Sequence, residues 1–173
     1  MRWLAALLTV GSVWSAPAQV APPDVRGQWA CVGCQQESPD TELRPAFGEA
    51  PSITIEPMLV TVTFDYPAQG RGGHEERTAH LEFALSGEKS NQVMIASGSS
   101  RTHLWDVTTL EQGRLVVETF ESTGYVPAHK TQRRELFIDQ EGQLVVETRR
   151  LTAGRPDDPL PQPVRTVYRR RVQ

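Results

Sequence analysis

The sequence has few cysteines, few lysines and no long hydrophobic run. Two cysteines among 173 residues allow at most one intrachain disulfide, which excludes a disulfide-rich scaffold. A formal net charge of −3 gives no bulk attraction to nucleic acid, so we expect no nucleic-acid partner. The sequence lacks G-x-S-x-G, H-E-x-x-H and any Gly-rich phosphate loop before a helix, and its four histidines show no metal-ligand spacing. We therefore expect no catalytic residue, metal or cofactor, although distant residues can converge in space to form an enzyme site.

The N-terminus has the features of a secretory signal peptide. Arg2 supplies a positive charge, residues 3–13 form a short apolar run, and Ala16-Pro17-Ala18 is an A-x-A cleavage site. An apolar run of about eleven residues is too short for a membrane span, which needs about twenty. We expect residues 1–18 to be removed, leaving residues 19–173 as a single domain, secreted or periplasmic and without a transmembrane span. The alternative is an N-terminal anchor or a buried helix.

Most of the remaining sequence alternates apolar and polar residues, as half-buried β-strands do. In one stretch, Ala79, Leu81 and Phe83 fall on one face while Thr78 and His80 fall on the other. Glycines, which favour turns, separate these stretches, and the pattern predicts an all-β, antiparallel up-and-down meander. The predicted strands are 25–31, 52–56, 59–66, 77–85, 93–97, 102–108, 114–121, 133–139, 144–151 and 164–172.

One heptapeptide occurs twice with little change. Residues 113–119 read GRLVVET and residues 142–148 read GQLVVET, and each copy begins with a glycine at a predicted turn. Two successive hairpins with the same turn chemistry explain this similarity. Two other stretches rich in turn residues, 124–127 and 152–163, are predicted surface loops.

About ten strands leave exposed edges unless the sheet closes, which favours a barrel of about 8–10 strands. Gly27-Gln28-Trp29 in the first strand resembles the Gly-x-Trp of lipocalin-like barrels, and the order of elements is similar to that of small exported lipocalin-like (calycin-type) bacterial proteins of unassigned function. The resemblance implies that Trp29 plugs the closed end and that an arginine of the last strand lies across its indole. Arg170, which follows Tyr168 by two positions, is the expected partner.

The two cysteines form a C-x-x-C pair, Cys31 and Cys34. Three residues of extended strand span about 10 Å, so a disulfide between them requires a turn at Val32-Gly33, which Gly33 makes easy. We expect a structural disulfide clamp. A redox-active pair remains an alternative, as do free thiols or metal ligands, whereas haem attachment is excluded because Gln35 stands where a histidine is required.

Charge is unevenly distributed along the chain. Residues 133–173 contain nine arginines and six acidic residues. Because the arginine fork suits carboxylates and phosphates, neighbouring C-terminal strands can present an anion-binding patch. The alternative is that these arginines form solvated cross-strand pairs with glutamates.

We expect a non-enzymatic barrel that binds a small, partly apolar ligand. Strand periodicity supplies apolar walls from residues such as Val60, Val62 and Phe83. The alternative is that the polar candidates face water while Leu104, Phe120 and Val145 fill the core. The protein is then an envelope interaction module without a cavity, or a thiol-disulfide protein that uses the cysteine pair. No particular protein partner is indicated. The predicted ligand-binding residues are Trp29, His103, Trp105, Glu121, Arg150, Tyr168 and Arg170.

Overall fold

The structure is a computed structural model that describes residues 22–32, 46–70, 73–152 and 162–172, with only the backbone described at 67–70 and 73–76. These residues form ten β-strands and no helix. The strands are β1 (Gly27–Cys31), β2 (Ser52–Glu56), β3 (Leu59–Gly70), β4 (Gly73–Ala84), β5 (Lys89–Ser97), β6 (Ser100–Glu111), β7 (Arg114–Thr123), β8 (Val126–Ile138), β9 (Leu144–Arg150) and β10 (Val164–Arg170).

All ten strands belong to one antiparallel sheet in the order β4-β3-β2-β1-β10-β9-β8-β7-β6-β5. The first and last strands are neighbours, with Trp29 opposite Arg170. This closes the meander into a barrel everywhere except between the edge strands β4 and β5. Here Asn91 forms a bridge, because its Oδ1 accepts a hydrogen bond of 2.8 Å from the backbone N–H of Glu82. The predicted all-β, antiparallel up-and-down meander of about 8–10 strands is confirmed, and its ten strands form a nearly closed barrel.

The β3–β4 and β7–β8 hairpins are longer than the sequence indicated. Strands β3 and β4 pair as far as Gly70 opposite Gly73. Strand β8 begins at Val126, which pairs with Thr123, so the predicted loop at 124–127 is a tight turn. The sequence of these extensions is polar or contains proline and glycine, and their strand structure follows from pairing with a long neighbour. The predicted loop at 152–163 lies almost wholly outside the described residues.

The apolar core fills one end of the barrel, which we call the floor. Its largest side chain is Trp29, which is fully buried and donates a hydrogen bond of 3.0 Å from Nε1 to the carbonyl of Val25. As predicted, the guanidinium of Arg170 lies over the indole, 4.9 Å from the ring centroid, and it also donates to the carbonyl of Asp24 at 3.2 Å. The other members are Val25, Phe47, Ile53, Val60, Val62, Phe83, Leu115, Val117, Leu136, Leu144, Val146 and Tyr168.

Phe47 comes from the connection between β1 and β2 and is fully buried in the floor. Its ring packs against Phe64 and Phe83, with centroids 6.0 and 6.4 Å away. The next residue, Gly48, has a φ of 64°, and a Cβ there would lie 2.6 Å from the carbonyl oxygen of Asp65. Glycine is therefore required for this connection to lie so close to β3 and insert Phe47 into the barrel.

Candidate functional site in the barrel interior

Strand register shows which side chains point into the barrel, because directly paired residues share a face of the sheet. Leu115, Val117, Leu136 and Val146 belong to the floor, so residues of the same parity on these strands and their partners face inward. Beyond the floor, the inward positions of β6 to β9 are mainly polar. We call the following group the interior polar layer: Asp106, Thr108, Thr119, Glu121, Gln132, Arg134, Thr148 and Arg150.

Asp106 is a buried carboxylate within this layer, and neutral groups satisfy both of its oxygens. The hydroxyl of Thr119 donates to Oδ1 at 2.7 Å, and Nδ2 of Asn91 donates to Oδ2 at 2.9 Å. These hydrogen bonds hold the carboxyl group in place on β6, where it forms no ion pair with another described residue.

Arg134 is one of the two cations of the layer, the other being Arg150. The Nε and Nη2 atoms of Arg134 donate to Oε1 of Gln132 at 3.0 and 2.7 Å, and within the described part of the chain Arg134 forms no ion pair. Burial lowers the pKa of its guanidinium, and the negative charge of Asp106 acts in the opposite direction. A guanidinium remains charged in proteins and has five N–H donors. Two of these are used, so Arg134 retains donors for a further acceptor.

Thr108 adds an unused polar group to the interior. Its hydroxyl oxygen is fully buried and has no hydrogen-bond partner among the described residues. Thr108 lies opposite Val117 on the inward face, two positions from Asp106. Thr108 has no accessible surface, so its hydroxyl lies within the packed interior, at the level of Val117, and borders no space as large as a water molecule.

The layer borders space that water can enter. Thr119, Gln132, Arg134 and Thr148 are only partly buried although they face inward. The residues two positions closer to the floor, such as Val117, are fully buried. The interior is therefore filled at the floor and becomes accessible at the level of the polar layer.

Three of the predicted ligand-binding residues, Trp29, Tyr168 and Arg170, lie in or against the floor. Trp29 and Tyr168 have no accessible surface, so neither lines a space as large as a water molecule. The Tyr168 hydroxyl accepts a hydrogen bond of 2.9 Å from the backbone N–H of Phe47. Burial raises the pKa of Tyr168, and this hydrogen bond partly opposes the shift. These residues support the barrel beneath the interior polar layer.

Glu121 and Arg150 occupy inward positions, whereas His103 and Trp105 do not. Trp105 pairs with Phe120 on the outer face, where the two rings stack with centroids 5.7 Å apart. The chain's only two lysines flank this stack, Lys89 at 4.2 Å from the Trp105 centroid and Lys130 at 5.8 Å from the Phe120 centroid.

The alternative prediction, that Leu104, Phe120 and Val145 fill the core, is correct only in part. Leu104, which pairs with Glu121, faces inward. Phe120 lies on the outer face, and Val145 is fully buried on the outer side of β9, opposite Phe137. The outer surface of the sheet therefore buries apolar side chains of its own.

Arg133 forms cross-strand ion pairs, as one of the two interpretations of the arginine-rich segment predicted. It contacts Glu111 at 2.7 Å, Glu118 at 3.4 Å and Glu135 at 3.0 Å on the outer face of β6, β7 and β8. Arg114 contacts Glu135 at 2.9 Å as well. These carboxylates occupy the donors of Arg133, so it does not contribute to an anion-binding patch.

The cysteine pair is described only at its first member. Cys31 lies opposite Tyr168 in β1 and packs against the floor. Cys34 lies outside the described residues, so the disulfide stays a prediction. Residues 1–18, the predicted signal peptide, also lie outside them.

A groove of about 400 Å³ lies on the outer side of the gap between β4 and β5. Its residues carry charges of both signs, and Asn91 crosses it to reach Asp106 and Glu82. It lies on the opposite side of the sheet from the interior polar layer. The groove is lined by Leu59, His80, Glu82, Ala84, Lys89, Ser90, Asn91 and Gln92.

Sequence reasoning missed Asp106, Gln132 and Arg134. The signal for Arg134 was available, because it lies two positions from Leu136 in a predicted strand and therefore shares its face. The concentration of arginines in this segment obscured that periodicity. Asp106 follows Trp105, and the aromatic side chain suggested the wrong inward face for this strand.

No family model, curated protein or solved structure matches this chain. The barrel is therefore defined by its own geometry, as a nearly closed, ten-stranded antiparallel meander with a filled floor and an interior polar layer. In the described ranges, no group of three or more His, Cys, Asp or Glu side chains could hold a metal ion. Those ranges also include no apolar helix of membrane-spanning length.

Proposed function

We propose that the protein is an exported, lipocalin-like barrel that binds a small, partly apolar ligand above its floor, without catalysis. The observation that carries this proposal is Arg134, an inward-facing, partly buried cation that uses two donors on Gln132 and forms no ion pair in the described chain. Small-molecule sites are commonly apolar pockets with a few convergent polar groups. The interior polar layer above an apolar floor has this composition.

The layer indicates the chemistry of the ligand. Arg134 retains hydrogen-bond donors, so the ligand's polar group is an acceptor such as a carboxylate. Apolar surface is available nearby, because Phe64, Leu81 and Leu104 face inward and are only partly buried. The expected ligand is therefore amphipathic, with its apolar part against these side chains.

The experiment compares laurate with dodecanol, its neutral counterpart, by isothermal titration calorimetry. We expect laurate to bind at micromolar concentration and dodecanol to bind more weakly. Arg134→Met should weaken laurate binding about tenfold or more, since a hydrogen bond to a charged group contributes roughly 1.5–3 kcal/mol. Arg149→Met is the matched control, because Arg149 is exposed and lies opposite Arg133 on the outer face of the neighbouring strand.

If neither laurate nor dodecanol binds at micromolar concentration, the proposal is contradicted. Equal affinity of Arg134→Met and the unmodified chain for laurate would contradict the role of Arg134. The second candidate is an interaction module that works through the sheet edge, which the filled floor and the exposed edge strand β5 favour. The thiol-disulfide alternative depends on Cys34 and stays untested.

Export is part of the proposal and has its own measurement. Signal peptidase is expected to cleave after Ala18, so N-terminal sequencing of protein recovered from the periplasm or medium should begin at Gln19. Recovery of exported protein that retains Met1 would show that residues 1–18 are not a cleaved signal.

A further inference from the structure

Strand β5 exposes three large apolar side chains in succession. Val93, Met94 and Ile95 are 53%, 57% and 50% exposed. The strand lies at one edge of the sheet and pairs with β6 on one side only. An edge strand with exposed apolar residues can pair with another chain, because its outer backbone N–H and C=O groups lack a strand partner.

The two edges of this sheet differ in how they resist such pairing. The β4 edge carries charged or polar side chains, among them Arg77, His80 and Glu82. In β5, a bulge between Ser90 and Val93 and the Asn91 bridge protect only the first half of the strand. From Ser90 to Ser100 the sequence contains no charged residue, no proline and a single glycine, at the turn. The second half of β5 therefore lacks the usual protection of an edge.

We propose that β5 pairs antiparallel with β5 of a second copy of this chain, around a two-fold axis at Met94. In this register Met94 lies opposite Met94 of the second copy, and Val93 lies opposite its Ile95. Opposite residues then share a face, as a continuous antiparallel sheet requires. Val93 and Ile95 then meet on the inner face of the sheet, and Met94 meets its counterpart on the outer face.

Charge and symmetry favour a second copy over an unrelated strand. The segment 90–97 contains no charged residue, so no like charges meet along the pairing. The apolar triplet is centred on its middle residue, which makes the edge complementary to itself, as a two-fold interface must be. Because the pairing covers few residues, it forms a weak dimer with a dissociation constant in the micromolar range.

Sedimentation velocity of the purified protein at increasing concentration tests the dimer. We expect a concentration-dependent shift from monomer to dimer. Met94→Lys should raise the dissociation constant about tenfold or more, because it removes the central apolar contact and places two ammonium groups opposite each other. Met58→Lys is the matched control, since Met58 is also 57% exposed but lies in the β2–β3 turn at the floor end.

Cross-linking tests the register independently of affinity. Directly opposite Cα atoms in antiparallel strands are about 4.5–5.5 Å apart, which is within the range of a disulfide. Met94→Cys should therefore form a covalent dimer under mild oxidation, and Met58→Cys should not. A wild-type chain that stays monomeric up to about 100 µM, well above a micromolar dissociation constant, would overturn the proposal. An equal rise in the dissociation constant in Met58→Lys and Met94→Lys would also overturn it. Failure of Met94→Cys to cross-link would do the same.

Discussion

At the scale of single residues, the Tyr168 hydroxyl links β10 to the connection between β1 and β2. Tyr168 is fully buried in β10, and its hydroxyl accepts the backbone N–H of Phe47, 121 positions earlier. This bond holds the connection that inserts Phe47 into the floor, where its ring contacts Phe64 and Phe83. The hydroxyl therefore stabilises the packing of the floor, and its place in the sheet keeps it away from solvent.

Tyr168→Phe should lower the free energy of unfolding by about 1–3 kcal/mol, because it leaves the buried N–H of Phe47 without an acceptor. Urea denaturation measures this change. Tyr66→Phe is the control, since Tyr66 is 37% exposed and should change stability little. Equal effects of the two substitutions would show that the Phe47 contact does not contribute.

The same residue gives the fold a dependence on alkaline pH. Burial raises the pKa of Tyr168 above the ordinary value of 10.0, so above this pH the unfolded chain loses the phenolic proton before the folded chain does. The contribution to stability is fully present below pH 10 and is lost as pH rises. Tyr168→Phe should therefore lose less stability than the wild type above pH 10.

The candidate site was predictable only where a motif or a periodicity identified a residue. The Gly-x-Trp resemblance led to the contact between Trp29 and Arg170, which the structure confirms. The interior role of Arg134 depends on which face of β8 points inward, and alternation alone leaves two choices for each strand. The floor decides between them, because Leu136 shares a face with Arg134.

At the scale of elements, strands β6, β7 and β8 are joined on their outer face by a cluster of charges around Arg133. A hydrogen bond from Arg133 lowers the pKa of Glu111. Burial alone would raise the pKa of Glu135, but hydrogen bonds from Arg133 and Arg114 outweigh it, so the pKa is lowered. Carboxylates with lowered pKa values stabilise the fold above about pH 4.5, and the contribution is lost as pH falls through the folded-state pKa.

Arg133→Gln should therefore reduce stability by about 1 kcal/mol at pH 7, and this reduction should shrink as pH falls below 4.5 toward the lowered folded-state pKa values of Glu111 and Glu135. Thermal unfolding at several pH values measures the difference. Arg149→Gln, an exposed neighbour on β9, should show no such dependence on pH. A constant difference between Arg133→Gln and wild type from pH 7 to pH 3 would contradict the role of the cluster.

The ends of a strand were predictable from the sequence where a turn residue such as glycine stood beside them. Gly113 and Gly142, which begin the two copies of the heptapeptide, have positive φ values of 77° and 74°, and each lies at a hairpin turn. Their strands begin where the sequence indicated. The ends of β3, β5 and β8 were less predictable, because their polar residues pair with a neighbouring strand and bury little apolar surface.

At the scale of the whole molecule, one side chain bridges the gap that the sheet leaves open. Asn91 has a φ of 48°, which directs its amide between β4 and β6. It accepts a hydrogen bond from the N–H of Glu82 and donates one to Asp106. The edge strand β4 is therefore linked to the interior polar layer across the gap.

Asn91→Gly should lower the free energy of unfolding by roughly 1–3 kcal/mol, because it leaves a carboxylate oxygen of Asp106 and the N–H of Glu82 without partners. Faster hydrogen exchange at the Glu82 amide should accompany the change. Gln112→Gly is the matched control, since Gln112 also has a positive φ, of 51°, but lies exposed in the β6–β7 turn. Unchanged exchange at Glu82 would show that the bridge does not close the barrel.

The position of β10 between β1 and β9 determines the order in which the barrel can fold. The hairpins from β5 to β8 involve neighbours in sequence, so they can form early and independently. Strand β1 can complete its pairing only later, because one of its two neighbours, β10, follows the other nine strands in sequence. The guanidinium of Arg170 can cover the Trp29 indole only when β1 and β10 have paired. A chain without β10 can still form these hairpins, but its floor lacks Tyr168 and its Trp29 lacks the covering guanidinium of Arg170.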